Sequence, residues 1–234
     1  MNRYVGGVFA VSLILAISLP AAATPQTGVT VVELFTSQGC SSCPPANAKL
    51  ASLAASRRDV VPLSFGVTYW DQLGWKDSFA SPAFTRRQRD YATALGHDNV
   101  WTPQMVINGR LDVVGGSAAQ VDAATARAGP VAGVEIGATG GSVTIAAARH
   151  RAVPADIWLV RYDPRVLQVP VRAGENNGRT LPHRNVVRAL VRLGAWSGSA
   201  QHLSLPPASP GLQSVILLQT AKAGPILAVA RVDG

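Results

Sequence analysis

The apolar residues of this chain keep two different periods, and the change between them limits the folds open to it. Up to about residue 129, strand-type runs alternate with runs at helical spacing. Residues 29–35 read as a buried strand. Residues 46–58 put Leu50, Leu53 and Ala54 on one helical face, and Arg57 and Arg58 suit the negative end of that helix's dipole. A second strand covers 60–67. Ser81-Pro82 is a helix start, running through Phe84, Arg87, Gln88, Tyr91 and Leu95 to a terminal Gly96. Two short strands, 104–108 and 110–114, flank the hairpin signal Asn108-Gly109, and 117–128 closes as a helix. This β-α-β-α-β-β-α order predicts a small mixed sheet with helices on both faces.

Beyond residue 130 the helical spacing is gone. Eight short strand-like runs (131–138, 142–147, 156–162, 166–171, 185–193, 201–205, 212–220 and 226–232) are separated by turn pairs such as Gly140-Gly141, Asn177-Gly178 and Gly224-Pro225. In one run Val187, Ala189, Val191 and Leu193 share a face, while Arg188 and Arg192 lie on the other, the period of two of a strand. Runs at this spacing predict an all-β antiparallel sandwich-like domain. The expected division is a signal peptide over 1–23, an α/β domain over 24–129 and the β domain over 130–234, joined near 126–133.

The signal-peptide reading rests on Arg3, an apolar run over 8–19, Pro20, and the small residues Ala21-Ala22-Ala23 before Thr24. The run falls short of the ~20 apolar residues that span a bilayer, so the expected mature protein is exported, with no membrane span. Charge is uneven. Residues 24–129 carry nine Lys/Arg against eight Asp/Glu, and residues 130–234 eleven against five. The arginines are spread among strand-like segments with no basic run and no interleaved aromatics, which fits a solvated sheet face and not nucleic-acid binding.

Chemistry concentrates at Cys40-Ser41-Ser42-Cys43, the only two cysteines of the chain. A two-residue gap holds the thiols close enough for a disulfide that opens and closes without moving the backbone. Cys40 falls where a strand ends and a helix begins, a place where unpaired N–H groups stabilise a thiolate. The spacing alone also suits a structural disulfide or a metal site. Two cysteines exclude a four-cysteine zinc site and a disulfide-stapled miniprotein.

Val31-Val32-Glu33-Leu34-Phe35 ahead of the cysteine pair, together with Trp101-Thr102-Pro103-Gln104-Met105, resembles the thioredoxin superfamily's active-site strand and its cis-proline loop. More narrowly, 33–45, Tyr69-Trp70-Asp71-Gln72-Leu73-Gly74-Trp75-Lys76-Asp77, 102–109, and Gly174-Glu175-Asn176-Asn177-Gly178-Arg179-Thr180-Leu181 with His183 are similar to an exported bacterial family catalogued as domain of unknown function 1223. The resemblance implies a thioredoxin-like α/β domain followed by a β domain, and a periplasmic location. It implies no established reaction.

Departures from thioredoxin matter. The superfamily's buried acid falls on Leu34, leaving Glu33, one position away, as a possible proton relay against a plain hydrogen-bonded strand glutamate. Pro44 and Pro45 follow the pair, and proline is tolerated only in a helix's first turn. Pro103 would align a substrate, with Thr102 presenting free backbone beside it. Trp70, Asp71 and Trp75 follow the second strand on the side where open α/β sheets bind ligands, as a substrate platform or as cover for their own loop. His97 follows the helix-ending Gly96 and suits that helix's carboxyl end. His183, with Glu175 and Asn185, lies in the longest polar loop; His150 and His202 have no partner in sight.

The expected function is a thiol–disulfide oxidoreductase that acts on the thiols and disulfides of other exported proteins, with no cofactor and no metal. Cys40 is the attacking thiolate and Cys43 the resolving thiol. Two rivals remain: a copper-binding protein using the same cysteines and His97 or His183, and a non-catalytic binding protein with an inert disulfide. No oligomeric state follows from the sequence.

Overall fold

The computed structural model describes Met1, residues 28–150 and residues 153–232; the segment read as a signal peptide lies outside them apart from Met1. Among the described residues, β1 (Thr30–Thr36) pairs in parallel with β2 (Val60–Gly66) and antiparallel with β3 (Gln104–Ile107). β3 turns at Asn108-Gly109, both at positive φ (51° and 63°), into β4 (Leu111–Val114). Helix α1 (Pro44–Ser56) and α3 (Ala118–Ala128) cover one face, and α2 (Pro82–Leu95) covers the other. Alternation along β1 explains both layers. Val32 and Leu34 pack with Ala46 and Leu50 of α1, whereas Val31 and Phe35 pack with Phe84 and Tyr91 of α2.

The second half does not form a separate sandwich. Its long strands β7 (Ala155–Asp163), β10 (Val186–Trp196), β12 (Gln213–Thr220) and β13 (Ile226–Arg231) extend the sheet of the first half. One eight-stranded mixed sheet results, in the order β13-β12-β7-β10-β2-β1-β3-β4. This overturns the expected thioredoxin-like α/β domain followed by an all-β sandwich. Among the described residues the regular structure is mostly strand, with three α-helices.

The physical cause lies at the outer edge of β2. Val60, Pro62 and Ser64 turn their backbone groups to that edge, and the second half supplies partners for the Val60 and Pro62 carbonyls and the Ser64 N–H. Asn185, at φ 52°, accepts the Ser64 N–H on its carbonyl (2.9 Å) and donates its side-chain amide to the Pro62 carbonyl (2.7 Å). Arg231 donates to the Val60 carbonyl (2.8 Å). Pro62 has no N–H to offer, so a full ladder cannot form, and β10 meets β2 in register only at Val186–Ser64. The apolar core runs across this seam, placing Phe65 and Tyr91 with Val160, Val187 and Leu217.

A three-stranded sheet of β5 (Ile136–Thr139), β6 (Ser142–Ile145) and β11 (Gln201–Ser204) covers the remaining face of the long strands. Val143 and Ile145 pack there on Ile157, Leu159, Ile216 and Leu218. Finally, β8 (Leu167–Pro170) and β9 (Thr180–His183) make a two-stranded ribbon. The loop at its tip, 171–179, reaches back to the first half. Among the described residues no helix is long and apolar enough to cross a membrane.

Candidate functional site

Cys40 and Cys43 are joined by a disulfide, with Cα atoms 5.5 Å apart. They form one turn between β1 and α1, in which the Cys43 N–H donates to the Cys40 carbonyl (3.2 Å). Cys43 is the N-cap of α1. The next two residues, Pro44 and Pro45, have no N–H, and the Asn47 N–H is spent on the Cys43 carbonyl (3.1 Å). Stabilisation of a thiolate by this helix end therefore falls to the amide of Ala46, less than the first turn of a helix usually offers. Cys40 Sγ lies 3.3 Å from Ser42 Oγ.

Neither cysteine has any exposed surface, while Ser41 and Ser42 between them are exposed. Three segments supply the cover. The first carries Gln38, whose N–H donates to Asp77 (2.7 Å) and whose side-chain oxygen accepts the Trp75 indole N–H (2.9 Å). The second follows β2. Gly66 lets the 79–80 backbone come close, since a Cβ there would fall 2.8 Å from Phe79 and Ala80. That anchor returns the Trp70–Asp77 loop over the cysteine turn, where Trp70 lies against Gly39 and donates to the Thr102 hydroxyl (2.8 Å). Asp71 caps its own loop by accepting the Asp77 N–H (3.1 Å).

The third segment comes from the second half, 136 residues away in the chain. Asn176, fully buried, donates its amide to both the Gln38 and the Cys40 carbonyls (2.9 Å each). Glu175 accepts the Ser41 N–H (3.0 Å), and this hydrogen bond holds its carboxyl below the usual range. Arg179 fixes Asn176 from behind (2.7 Å). These residues are absent from the candidate set read from the sequence, apart from Glu175 in a ligand-loop role. The signal was the polar run 174–180 in a half otherwise built of strands.

The structure gathers Cys40, Cys43, Trp70, Asp71, Trp75 and Thr102 around this turn through the bonds above. Pro103 follows a cis Thr102–Pro103 peptide. Its loop meets the first turn of α1 at Gly115, where a Cβ would lie 3.1 Å from Ala46 and 3.4 Å from Pro103. Glu33 is placed elsewhere, on the sheet face opposite α1. There it receives two bonds from Arg87 (2.9 and 3.0 Å) and one from the Tyr91 hydroxyl, all buried.

The buried acid beside the cysteine turn is Asp77. Burial pushes its carboxyl up to about 6, against the pull of the Gln38 and Phe79 N–H groups, with Asp71 adding to the rise. His183 is not in a loop; it ends β9, buried edge-on against Phe79, and burial pushes it down to about 4. His97 bonds Asp112 (3.1 Å) and packs on Trp101. Among the described residues no three His, Cys, Asp or Glu side chains are grouped to hold a metal ion.

No curated protein matches the chain. Two solved structures do. Protein AGR_C_4864 from Agrobacterium tumefaciens is 34% identical, with a TM-score of 0.71 over 89% of this chain and 96% of its own. HBP35 of Porphyromonas gingivalis is 12% identical, with a TM-score of 0.58 over 88% of this chain and 74% of its own, a likeness of fold alone. The sequence model described as "Protein of unknown function (DUF1223)" matches residues 31–219, a span holding the cysteine turn, the tryptophan loop and the Glu175–Asn176 turn. The chain belongs to the DUF1223 family.

Proposed function

We propose that the protein is an exported thiol–disulfide oxidoreductase that works through Cys40 and Cys43 on other exported proteins. The observation that carries this reading is how little the crosslink has to hold. It closes a four-residue loop, for which chain entropy gives only about 2 kcal/mol. That loop is already held by Glu175 at the Ser41 N–H and Asn176 at the Cys40 carbonyl, and Asp77 and Asn176 fix Gln38 just before it. A disulfide so nearly redundant for stability is better explained by its chemistry.

In the exchange, the thiolate of a substrate dithiol attacks Cys40 Sγ. A substrate–Cys40 bond forms as the Cys40–Cys43 bond breaks, and the electron pair leaves on Cys43 Sγ, which takes up a proton. The second substrate thiolate then attacks the substrate sulfur of the mixed disulfide and releases Cys40. The substrate ends oxidised and the pair reduced; the reverse sequence reduces a substrate disulfide. Trp70 and the Thr102–Pro103 loop form the wall against which the substrate backbone lies. Because neither cysteine is exposed, the 174–178 turn must lift before attack.

That same cover is the one observation favouring an inert disulfide in a binding protein. Trapping separates the two readings. A Cys43→Ala variant, presented with a reduced and oxidised periplasmic extract, should form mixed disulfides at Cys40 detectable by mass spectrometry, and Cys40→Ala should form none. A native disulfide that resists dithiothreitol, together with no mixed disulfides, would leave the binding-protein reading.

A further inference from the structure

The seam between β2 and the second half leaves a cavity of about 520 Å³. It opens because β10 departs from β2 after a single registered pair, so the start of β2 is bordered by side chains instead of a strand. Arg57 and Arg58 from the end of α1, Arg184 ahead of β10, and Arg231 at the end of β13 line it. Among the described residues no acidic side chain lines it; Asp59, just outside, is ion-paired to Arg57 (2.6 Å).

Arg184 is the telling member. Among the described residues its guanidinium makes no hydrogen bond or ion pair, and its Nε is closed to solvent. Arg184 lines the cavity, and a guanidinium whose terminal N–H groups have no protein partner can present them to an anion. The rest of the wall suits something other than a bare ion. Ala54, Pro62 and Pro164 present apolar surface, and the Tyr162 hydroxyl, donating to Gln213 (2.8 Å), adds a polar edge. A cavity of this size and mixed lining matches a small-molecule site, and guanidinium forks match the oxygens of carboxylate and phosphate.

We propose that this seam cavity binds a small organic anion, with a carboxylate or phosphate head held by Arg184 and its neighbours and an apolar body against Ala54, Pro62 and Pro164. The site lies at the amino-terminal end of β2, whereas Cys40 follows the carboxyl end of β1, its parallel neighbour. It is therefore separate from the disulfide and independent of the exchange reading.

Isothermal titration calorimetry at fixed ionic strength tests it, with benzoate, phenyl phosphate, acetate and inorganic phosphate as probes and chloride as the control. At least one of the two aromatic probes should bind at least tenfold more tightly than its bare head group, and the carboxylate and phosphate arms identify the preferred head. Arg184→Gln should weaken that binding about tenfold (~1.4 kcal/mol) while the rate at which dithiothreitol reduces Cys40–Cys43 stays unchanged. If Arg184→Gln does not fold, Arg58→Gln, at an exposed position, should weaken binding at least threefold. Binding no stronger than chloride for all four probes, or unchanged affinity in the folded variant, overturns the proposal.

Discussion

Lowering the pH from 7 to 4 should remove about 3 kcal/mol of stability through His183 alone. Burial holds this imidazole at about 4 in the folded chain, against 6.5 when it is free. Between those values the unfolded chain binds a proton that the folded chain refuses, so stability falls as the pH drops through 6.5 and levels off below about 4. Two and a half pK units correspond to about 3 kcal/mol. Asp77 acts in the opposite sense. Its folded value of about 6 lies above its free value of 3.8, so the stability it lends is present below about 4 and lost as the pH rises through 6. The wild-type profile between pH 4 and 6 therefore sums two opposed slopes. His183→Phe isolates one of them. The new ring keeps the edge-on contact with Phe79 and removes a buried Nε2 that has no partner, so its stability at pH 7 should lie within about 1 kcal/mol of wild type. Urea unfolding followed by tryptophan fluorescence at pH 7, 5.5 and 4 gives the difference between the two proteins. It should shift by about 3 kcal/mol in favour of His183→Phe on going to pH 4. A difference that stays constant across the three pH values would refute the assignment of a buried, neutral His183.

Asn176→Ala removes both amide bonds to the cysteine turn; stability should fall by about 1–3 kcal/mol. Dithiothreitol should then reduce Cys40–Cys43 about tenfold faster, as read by quenched alkylation. Glu33→Gln strips the buried Arg87 of its carboxylate and should cost about 3–5 kcal/mol in chemical denaturation. The pH profile of disulfide exchange should not move, since Glu33 sits on the face away from α1. Cys43→Ala should lower stability by no more than about 2 kcal/mol relative to the oxidised wild type; a loss twice that size in urea unfolding would point to a structural crosslink.

Local punctuation was legible wherever a few neighbouring residues decide the backbone. Ser81 caps α2 by accepting the Ala83 N–H (3.3 Å), Pro82 opens the helix, and Gly96 closes it at φ 78°. Strand pairing over long separations was not. Nothing in the alternation of Val187 and Val191 says which neighbour β10 takes, and its meeting with Ser64 spans more than a hundred residues. Pro62 was the available clue, since a proline inside an apolar strand argues for an edge without a complete ladder. Pro182 hid β9 in the same way, and with it the buried setting of His183. At the site, the cysteine pair announced itself because its chemistry fits into four residues. Asn176 and Glu175 did not, because a polar turn far along the chain reads as solvated until folding lays it on the cysteine turn.

The position of Pro62 also bears on how the chain survives its own synthesis. Residues 28–131 carry β1 to β4 and the three α-helices and are synthesised before β10; in the folded chain Val131 donates to the Val29 carbonyl (2.8 Å). During that interval the outer edge of β2 is bare, flanked by the apolar Val60, Val61, Leu63 and Phe65. An open strand edge of this kind invites a second nascent chain to add itself. With proline at the centre of that edge an intruding strand finds a missing donor where the ladder should continue. The rightful occupant needs only Ser64 from the edge's donors and brings Asn185 to meet the Pro62 carbonyl. The same residue that keeps the seam open in the finished protein thus takes from that edge a donor that an added strand would need.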